Sequence, residues 1–551
     1  MAERTAHSNT EVGPIDYDVV VVGAGFAGMY LLHRLRNAGF SAKVFERGTS
    51  IGGTWYWNRY PGARCDVRSI DYSYSFDPVL EQEWEWSEKF ATQPEILRYA
   101  NHVADRYELR DGIQCNTTVR GATYDEEAKT WRVTVDPEGS NVEELVARHV
   151  VLATGCLSQS KQPEIDGIED FGGDLYHTGH WPHHAEGDAK ILTGKRVAVI
   201  GTGSSGIQSI PIIAEEAAHL TVFQRTPNFS IPSRNGLPDP EELASIKADY
   251  PAYRQLAKES AGGAPRPLPT KGALEVSADE REAAYRAGWE EGGLGGILAS
   301  FTDLRLDEES NETAAEFIRE QIRSIVDDPA TAAMLCPTDH PFGTKRPCLD
   351  TNYYATYNRP DVDLVDLRAT PLQRVTANGL ETTERSYEFD AIVFATGFDA
   401  MTGAIAAIDI AGVAGLELRK KWEDGPRTYL GLMVAGFPNL FTVTGPGSPS
   451  VLSNMMVSIE QHVDWIADCL ENLRATGADS IEATVEAEDD WVDHVREVGD
   501  ATLYPKANSW YMGANVPGKP RVFLPYVGGV GAYRAICDEI VADGYRGFTL
   551  D

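Results

Sequence analysis

The chain has 551 residues and a formal net charge of −34, and 42% of its residues are hydrophobic. This length exceeds a single hydrophobic core and predicts two or three domains of ordinary globular composition. The strong negative charge argues against nucleic acids and anionic membranes as partners, so we expect neither. Any anionic cofactor would have to be held by a local group of cations.

The cysteines and the N-terminal segment indicate the cellular compartment in which the protein acts. Seven scattered cysteines include no Cys-x-x-Cys pair, which argues against a disulfide framework or a metal site. Residues 1–14 are polar and lack an apolar signal core, so we expect a disordered tail. No apolar run is long enough to span a bilayer. We expect a cytoplasmic protein that is a monomer or a weak homo-oligomer.

A glycine-rich nucleotide-binding pattern comes first. An apolar strand at 17–22 leads into Gly23-Ala24-Gly25-Phe26-Ala27-Gly28, which opens an apolar-periodic helix. Such glycines permit a tight turn and bring backbone N–H groups close to a pyrophosphate at the helix N-terminus. The next strand ends at Glu46, where a carboxylate accepts hydrogen bonds from a free ribose. The residues expected to bind this dinucleotide are Gly23, Gly25, Phe26, Ala27, Gly28, Glu46 and Arg47.

A second pattern of the same kind differs at the position that selects the nucleotide. The strand at 196–200 leads into Gly201-Thr202-Gly203-Ser204-Ser205-Gly206, and the following strand ends at Gln224-Arg225. Here a glutamine replaces the carboxylate, and the adjacent arginine can accommodate a ribose 2′-phosphate. The two patterns together predict FAD and NADP in one chain, and therefore a flavin oxidoreductase.

Two apolar strands end in Ala-Thr-Gly, at 153–155 and at 395–397. Small side chains at a strand end let the backbone approach a flat ligand closely. Because these strands flank the second pattern, the second nucleotide unit looks inserted into the first. Strands that alternate with helices predict doubly wound parallel sheets. The predicted fold class is α/β, with two Rossmann-like dinucleotide-binding domains and a helical insertion.

The insertion is indicated by charged, helix-forming stretches broken by glycine and proline. It forms either a wall over the site or a solvated lobe. The predicted division is 15–157 for the first part of the FAD-binding domain, 158–234 for the first part of the NADP-binding domain, 235–342 for the insertion, 343–389 for the second NADP part and 390–551 for the second FAD part.

Two longer motifs narrow the chemistry. Residues 52–66 fit GGxWxxxxYPGxxxD, and residues 171–182 fit FxGxxxHTxxWP. In the first, Trp55 and Tyr56 stand where flavin disulfide reductases carry a redox cysteine pair, which excludes thiol relay chemistry. By these motifs the chain resembles type I Baeyer–Villiger monooxygenases. It is similar to their phenylacetone and steroid monooxygenase branch through 69–76, 201–208, 445–455 and 510–519.

This resemblance implies an FAD-dependent, NADPH-consuming enzyme that converts ketones and O2 into esters or lactones. The reaction would pass through a C4a-peroxyflavin and a Criegee intermediate, with an aryl or polycyclic ketone as substrate. Arg346 matches the family's active-site arginine, and Asp66 matches the carboxylate that orients it. A guanidinium stays charged at any working pH and can stabilise the anions of this reaction. Without the resemblance, Arg346 reads as an ordinary loop cation.

The resemblance also assigns contacts to the cofactors. Arg225, Thr226 and Lys345 match the residues that bind the 2′-phosphate of NADP. Gln208 either contacts the nicotinamide end or is an ordinary helix-surface glutamine. Trp510 either closes over NADP with a mobile loop or is an anchored surface aromatic. The remaining residues expected at the cofactors are Gly53, Thr54, Trp55, Asp66, Tyr72, Val119, Ala153, Thr154, Gly155, Gly201, Thr202, Gly203, Ser204, Ser205, Gly206, Ala395, Thr396, Gly397 and Met455.

Three sets of residues complete the predicted site. Val451, Leu452 and Ser453 match the loop that lines the substrate cavity. His177 and Trp181 lie in a linker between the two domains, and we expect His177 to couple domain motion rather than act as a general base. The neighbouring histidines lack partner ligands, so we expect no metal. They are His180, His183 and His184.

Two rival functions stay open at this point. A heteroatom monooxygenase would make sulfoxides or N-oxides with the same cofactors, although Trp181 and Arg346 argue against this as the main activity. A flavoprotein redox sensor would bind NADPH without oxygenation, and the paired Arg346 and Asp66 have no evident use in such a protein. Formation of an ester would argue against the heteroatom monooxygenase. NADPH consumption that rises with added ketone would argue against the redox sensor.

Overall fold

The computed structural model describes residues 14–161, 163–183 and 190–551. The predicted N-terminal tail lies outside these residues except for Pro14, and so does His184. The α/β fold class is confirmed, because two sheets containing parallel strands each carry helices from the intervening segments.

The strands of the described chain are numbered in chain order: β1 Tyr17–Val22, β2 Ala42–Phe45, β3 Ile113–Gln114, β4 Thr117–Asp125, β5 Thr130–Pro137, β6 Glu143–Leu152, β7 Asp174–His177, β8 Arg196–Ile200, β9 His219–Gln224, β10 Ser230–Pro232, β11 Cys348–Asp350, β12 Val362–Asp366, β13 Leu372–Thr376, β14 Gly379–Thr382, β15 Ser386–Glu388, β16 Ala391–Phe394, β17 Asp409–Ala411, β18 Leu440–Thr442, β19 Ile481–Ala483 and β20 Phe548–Leu550.

The α-helices follow the same convention: α1 Phe26–Asn37, α2 Thr54–Trp57, α3 Pro78–Glu83, α4 Gln93–Arg106, α5 Ser204–Glu216, α6 Pro240–Ala248, α7 Tyr250–Glu259, α8 Ala278–Glu291, α9 Gly295–Leu298, α10 Glu308–Ile325, α11 Pro329–Leu335, α12 Tyr353–Thr356, α13 Gly403–Ala406, α14 Leu418–Lys421, α15 Met455–Thr476, α16 Val485–Asp500 and α17 Val530–Ala542. Short 3₁₀ helices at Thr178–His180, Ser450–Leu452 and Trp510–Met512 lie near the site described below.

The first sheet has the strand order β17-β4-β5-β6-β1-β2-β3, and β18 also pairs with β6. Strand β1 pairs in parallel with β2 and β6, with Val20 opposite Lys43 and Val150. Its valines are buried on both faces, as expected for a central parallel strand covered by helices. Helix α1 packs along α15, so residues from both ends of the chain build this unit.

The second sheet has the order β12-β9-β8-β16-β7, and all of its strands are parallel. Strand β16 pairs with β7 and β8, so residues 391–394 belong to this sheet and not to the first. We expected the chain to have returned to the first unit at residue 390. An apolar strand that ends in Ala-Thr-Gly fits either sheet, and hydrophobic pattern alone cannot assign its neighbours.

The insertion is helical, as its composition indicates. Helices α6, α7, α10 and α11 begin after an aspartate whose side chain accepts a backbone N–H of the first turn, and α6, α7 and α11 also carry proline in that turn. Both features are strong helix-start signals. Helices α8, α10 and α11 pack against the second sheet, whereas α7 packs against α17 of the first unit.

None of the helices in the described ranges combines the length and the apolarity that a membrane span requires.

Candidate active site

A single cleft of about 970 Å³ contains both glycine-rich turns. It lies at the carboxyl ends of the parallel strands of both sheets, where nucleotide ligands bind in open α/β folds. Its walls include the two Ala-Thr-Gly strand ends, the 52–67 segment and the substrate-loop candidates around Val451. The structure therefore brings most of the predicted site residues together.

The two turns have the shape that a dinucleotide requires. Gly23 has φ +104°, and a Cβ added there would lie 2.6 Å from the Ala153 carbonyl oxygen. Gly201 has φ +112°, and a Cβ there would lie 2.5 Å from the Ala395 carbonyl oxygen. Only glycine fits either position, so both cradles stay open for a close backbone approach to phosphate. The residues present fit FAD and NADP.

Glu46 is buried at the end of β2 and faces the first turn. Its carboxylate accepts hydrogen bonds from the Ala24 N–H at 2.9 Å and the Gly48 N–H at 2.7 Å. A carboxylate has about four acceptor sites, so capacity remains for ribose hydroxyls. The two backbone bonds fix the orientation that the sequence pattern requires.

The second turn faces a group of cations. Arg225, Thr226 and Lys345 line the cleft beside Gly201. Among the described residues, the Lys345 side chain has no hydrogen-bond partner. Burial lowers its pKa, and the nearby Asp339 carboxylate opposes this shift. Arg368, which sequence reasoning missed, donates to the Thr226 hydroxyl at 3.2 Å. Because an arginine only donates, the Thr226 hydroxyl keeps its own proton for another acceptor.

Gln224 does not face this group, although it occupies the position that corresponds to Glu46. Its side-chain amide donates to the Met334 carbonyl oxygen at 2.8 Å, toward the insertion. At this end of the second sheet, Arg225, Thr226 and Lys345 are the predicted phosphate contacts that line the cleft, and the glutamine places no carboxylate there.

Arg346 and Asp66 form the charged pair that the sequence predicts. The Arg346 Nε donates to Asp66 Oδ2 at 3.2 Å, and Nη1 donates to the Val451 carbonyl oxygen at 3.4 Å. The Asp66 side chain is only 7% exposed, whereas that of Arg346 keeps 27% exposure in the cleft. Two of the guanidinium nitrogens are engaged in this way, and the side chain lines the cleft.

Electrostatics keep this arginine charged. Burial lowers the pKa of Arg346, but the Asp66 carboxylate and Tyr511 raise it, and the net shift is upward. Burial raises the pKa of Asp66, while Arg346 and Gln208 oppose that rise. A permanent cation inside a cleft is suited to stabilising negative charge on a bound oxygen.

Gln208 is buried and lines the cleft, so it is not an ordinary helix-surface glutamine, and its contact to the nicotinamide stays a prediction. Its Nε2 donates to the Arg64 carbonyl oxygen at 3.1 Å and to Asp66 Oδ1 at 3.4 Å. Its Oε1 accepts from the Tyr60 hydroxyl at 2.8 Å and from the Arg64 N–H at 3.4 Å. The side chain is therefore occupied in holding the 60–66 loop, and with it the Asp66 carboxylate.

Arg64 lines the same cleft but is directed elsewhere. Its Nη1 donates to Glu88 Oε2 at 2.8 Å and to the Phe90 carbonyl oxygen at 3.0 Å. This pairing makes it a poor substitute for Arg346.

His177 has a hydrogen-bond pattern that fixes it in the neutral state. Its Nδ1 accepts from the Gly179 N–H at 2.9 Å, so Nε2 carries the proton toward the Thr396 hydroxyl, 3.1 Å away. Burial lowers its pKa to about 4. Trp181 is buried against Tyr176 of β7. His177 ends β7 and therefore belongs to the second sheet itself, not to a linker between the domains as expected from the sequence. Its part in domain motion stays a prediction.

The neighbouring histidines have separate partners. His180 Nε2 contacts the Ser160 hydroxyl at 2.5 Å, and His183 packs on Tyr56. Across the described ranges, no group of three or more His, Cys, Asp or Glu side chains is arranged to hold a metal.

Trp510 lines the cleft, and its ring packs on Tyr511 at a centroid distance of 4.1 Å. The loop that follows is fastened by two lysines. Lys161 Nζ donates to the Asn515 carbonyl oxygen at 2.8 Å, and Lys519 Nζ contacts Asp399 Oδ1 at 2.6 Å. We define residues 508–519 as the clamp loop.

The residues 450–455, which we define as the substrate loop, contribute Val451, Ser453 and Met455 to the cleft. Leu452 does not line it and packs into an apolar cluster with Cys156 and Met401. The 3₁₀ turn at Ser450–Leu452 rotates alternate side chains away from each other, which a linear motif does not reveal.

The other predicted residues divide in the same way. Five do not line the cleft: Gly28, Gly206, Leu452, His177 and Trp181. The two glycines instead pack against the carbonyl oxygens of Gly23 and Gly201. The cleft also includes residues that sequence reasoning missed, among them Asn58, Tyr60, Cys65, Val67, Lys161, Asn508 and Asn515. Several of these lie within the recognised motifs, and that position in the sequence could have identified them as cleft residues.

Comparison with known proteins places this geometry in a family. Residues 17–235 match the family model described as pyridine nucleotide-disulphide oxidoreductase. A Baeyer–Villiger monooxygenase of Pseudooceanicola batsensis is 41% identical over 98% of both chains. The phenazine N-monooxygenase PhzNO1 of Lysobacter antibioticus is 40% identical over 97% of both chains.

Solved structures agree over the same span. A steroid monooxygenase bound to NADP is 52% identical with a TM-score of 0.91, covering 97% of this chain and 99% of that one. The OTEMO complex with FAD and NADP is 41% identical with a TM-score of 0.93, covering 98% of this chain and 100% of that one. With two dinucleotide cradles and the Arg346–Asp66 pair in one cleft, and with relatives of this kind over nearly the whole chain, the chain belongs to the Baeyer–Villiger monooxygenase family.

Proposed function

We propose that this protein is an FAD-dependent, NADPH-consuming monooxygenase that converts aryl or bulky ketones into esters or lactones. The observation that carries the proposal is the Arg346 guanidinium, held by Asp66 at the wall of a cleft that contains both dinucleotide cradles. Neither dinucleotide binding nor hydride transfer by itself requires a buried cation at this position.

The residues of the first unit would hold FAD. The Gly23–Gly28 turn would receive the pyrophosphate, Glu46 would accept the ribose hydroxyls, and Trp55 and Tyr72 would line the ring system. Bound FAD, once reduced by NADPH, would activate O2, from which one oxygen atom is inserted beside the carbonyl and the other leaves as water.

Arg346 would act on the ketone. Its exposed guanidinium nitrogens can donate to the carbonyl oxygen, where negative charge develops as the carbon is attacked. Such a donor typically lowers the barrier by ~3–4 kcal/mol. Asp66 would act by orienting Arg346, and Gln208 by orienting Asp66.

Arg225, Thr226 and Lys345 would bind the 2′-phosphate of NADPH. The group is locally positive although the chain carries a net charge of −34, and Thr226 retains a hydroxyl proton to donate. Charge-assisted hydrogen bonds of this kind are about twice as strong as neutral ones. The clamp loop, with Trp510, would cover the bound coenzyme.

The substrate class is inferred from apolar residues that line the cleft together with the cation. Val451, Met455 and Ile459 line the cleft there and are apolar. Apolar walls with few polar groups favour ligands whose surface is mostly hydrocarbon. An aryl or polycyclic ketone meets this requirement.

Oxygenation of nitrogen or sulfur is the second candidate, because a phenazine N-monooxygenase is 40% identical to this chain. Trp181 of the FxGxxxHTxxWP motif and the Arg346–Asp66 pair favour ketones as the main substrates. A redox sensor would have no evident use for that pair.

We also propose that the chain acts in the cytoplasm as a monomer or weak homo-oligomer, divided into an FAD-binding and an NADP-binding domain. All seven cysteines are free thiols, which suits a reducing compartment. Analytical ultracentrifugation over a range of concentrations tests the assembly state.

A panel of aryl, cyclic and linear ketones tests the main proposal. The purified protein is reconstituted with FAD, NADPH consumption is followed, and the products are assigned by mass. We expect consumption to rise with ketone and products to gain one oxygen atom. If oxidation of a thioether or tertiary amine exceeds that of every ketone, the second candidate replaces the first. Consumption that no acceptor raises would contradict both.

A further inference from the structure

The first part of the insertion packs against the FAD-binding half of the protein. Ala257 of α7 is buried with Val457 of α15 and Val530 of α17. Tyr250, also on α7, is buried in a second cluster with Ile70. Helix α7 therefore belongs to the surroundings of the substrate loop, although most of the insertion packs on the second sheet.

The end of α7 satisfies the exposed N–H groups of two helices. The Gly262 carbonyl oxygen accepts from the Asn454 N–H at 2.8 Å, just before α15. The Ala261 and Ser260 carbonyl oxygens accept from the N–H groups of Val530 and Gly531 at 3.0 and 3.1 Å, at the start of α17. Helix starts carry orphan N–H groups, so these bonds fix the starting points of α15 and α17 against the insertion.

Arg254 of α7 joins the same region through its side chain. Its Nε donates to Glu81 Oε1 at 2.7 Å, with the two side chains only 7% and 4% exposed. Its Nη2 donates to the Ser73 hydroxyl at 2.7 Å, and Nη1 reaches the Asp71 carbonyl oxygen at 3.5 Å. One guanidinium therefore holds both residues that flank Tyr72.

The segment held by Arg254 touches the substrate loop directly. The Asp71 carbonyl oxygen also accepts from Asn454 Nδ2 at 2.6 Å. Asn454 Oδ1 in turn accepts from the Met456 N–H at 3.1 Å and caps α15. Tyr72 lines the cleft, and its hydroxyl accepts from Trp55 Nε1 at 3.1 Å.

We propose that Arg254 is a positioning residue for substrate selection, fixing the substrate loop relative to Tyr72. It lies outside the cleft and touches neither Arg346 nor the dinucleotide cradles. Its donors hold Asp71 and Ser73, and Asp71 in turn binds Asn454 of the substrate loop, so Arg254 acts on that loop through the segment that carries Tyr72. The inference deepens the proposed function, because it assigns to this helix of the insertion a part in choosing the ketone.

The informative substitution is Arg254→Lys. A lysine keeps a positive charge beside the buried Glu81, but its single ammonium cannot reproduce the planar fork to Ser73 and Asp71. The matched control is Arg319→Lys on α10, another arginine of the insertion, which pairs with Glu312 and Glu316 away from the substrate loop.

Both variants and the parent are compared as FAD-loaded full-length proteins. Turnover of phenylacetone and of cyclohexanone is measured, together with flavin reduction by NADPH without ketone. We expect Arg254→Lys to change the ratio of the two kcat/KM values by at least about fivefold, since small displacements at a site have large effects. Flavin reduction should stay within about twofold, and Arg319→Lys should leave the ratio unchanged.

A lower melting temperature with an unchanged ratio would show that Arg254 is merely structural and would overturn the inference. Equal shifts in both variants would overturn it as well. Visible circular dichroism of bound FAD provides a readout that needs no turnover, because Tyr72 lines the cleft and its displacement would alter the spectrum. Failure of the parent with every ketone of the panel would count against the proposed function, whereas an unchanged spectrum in Arg254→Lys would count against this inference independently.

Discussion

At the scale of single residues, the proposed chemistry depends on the guanidinium of Arg346. Replacing Arg346 with alanine should leave FAD bound and reducible by NADPH, because neither step uses this cation. Ester formation should fall at least ~100-fold, the usual effect of losing one oxyanion donor. Reducing equivalents should then appear as hydrogen peroxide. Stopped-flow spectroscopy measures flavin reduction, and a product assay on the same samples measures ester and hydrogen peroxide.

Asp66→Ala provides the graded comparison, because the arginine remains but loses the acceptor at 3.2 Å that orients it. Its loss of ester should be smaller than that of Arg346→Ala. Ester formation by Arg346→Ala at nearly the parent rate would mean that another cation serves the carbonyl. Lys345 would then be the next residue to test, since Arg64 is committed to Glu88.

Gln208 offers a second residue-scale prediction. Gln208→Leu removes the hydrogen bonds to Asp66 and Tyr60 while keeping a side chain of similar length. We expect flavin reduction to change by less than about threefold and the ratio of ester to peroxide to fall about tenfold, because the catalytic pair loses its support. Reduction rates that fall as much as oxygenation would instead identify Gln208 as a contact to the nicotinamide. Tyr60→Phe, which removes one donor to Gln208, should show a weaker form of the same pattern.

Coenzyme choice is also decided at this scale. NADPH should be preferred to NADH by about 10- to 1000-fold, from charge-assisted bonds to the 2′-phosphate. Arg225→Ala should remove much of this preference, mainly by raising the KM for NADPH. Steady-state kinetics with both coenzymes check the prediction, and equal efficiency in the parent would contradict the assigned phosphate site.

Residue identities near the cleft were predictable where spacing is tied to chemistry. The Gly23 and Gly201 turns and Glu46 followed from the glycine-rich patterns, whereas the pairing of Arg346 with Asp66 followed from the resemblance to Baeyer–Villiger monooxygenases. The direction of a polar side chain did not follow, as Gln208 and Gln224 show. A glutamine in a motif states which atoms are available, and only the folded neighbours state which partner they bind.

At the scale of elements, two lysines fasten the clamp loop: Lys161 binds the loop at Asn515, and Lys519 at its end binds Asp399. Lys519→Met removes the contact to Asp399 and should loosen the loop, raising the KM for NADPH about three- to tenfold because more ordering accompanies binding. Limited proteolysis should cut the loop faster, with NADP restoring protection. Lys506→Met is the matched control, since Lys506 lies just before the loop and pairs with the exposed Glu308. The same response in the control would rule out a specific fastening.

Element boundaries were predictable where capping chemistry is local. The helices that start at Pro240 and Pro329 follow aspartates, and these signals sit within a few residues of the helix start. Sheet membership was not local. Strand β16 has a sequence that suits either sheet, and its place between β7 and β8 depends on partners over 190 residues away.

At the scale of the whole molecule, buried neutral histidines make stability depend on acidity. His462 accepts from the Thr444 N–H at 3.0 Å and contacts the Tyr533 hydroxyl at 2.9 Å. Burial lowers its pKa to about 3, against about 6.5 in an unfolded chain. Between these values only the unfolded state takes up the proton, so the histidine's contribution to stability is complete above pH ~6.5 and is lost as the pH falls toward 3.

His462→Gln should therefore reduce the pH dependence of the unfolding free energy by about one proton, or ~1.4 kcal/mol per pH unit, between about pH 4 and 6. The slope is the readout, because the substitution also changes stability at every pH. Urea unfolding at a series of pH values measures it. Parallel curves for the parent and His462→Gln would show that this histidine titrates alike in both states.

The interleaving of the two units also bears on how the chain reaches its native state. The first sheet joins residues 17–22, 143–152 and 440–442, and α1 rests on α15, more than 400 positions later. During synthesis the N-terminal strands cannot complete their sheet until the C-terminal strand has been made, so this unit cannot follow the usual order in which N-terminal parts fold first. Contacts of such long sequence separation fold slowly and leave apolar strands exposed meanwhile. Low growth temperature or added chaperones should therefore raise the soluble yield more than any stabilising surface substitution.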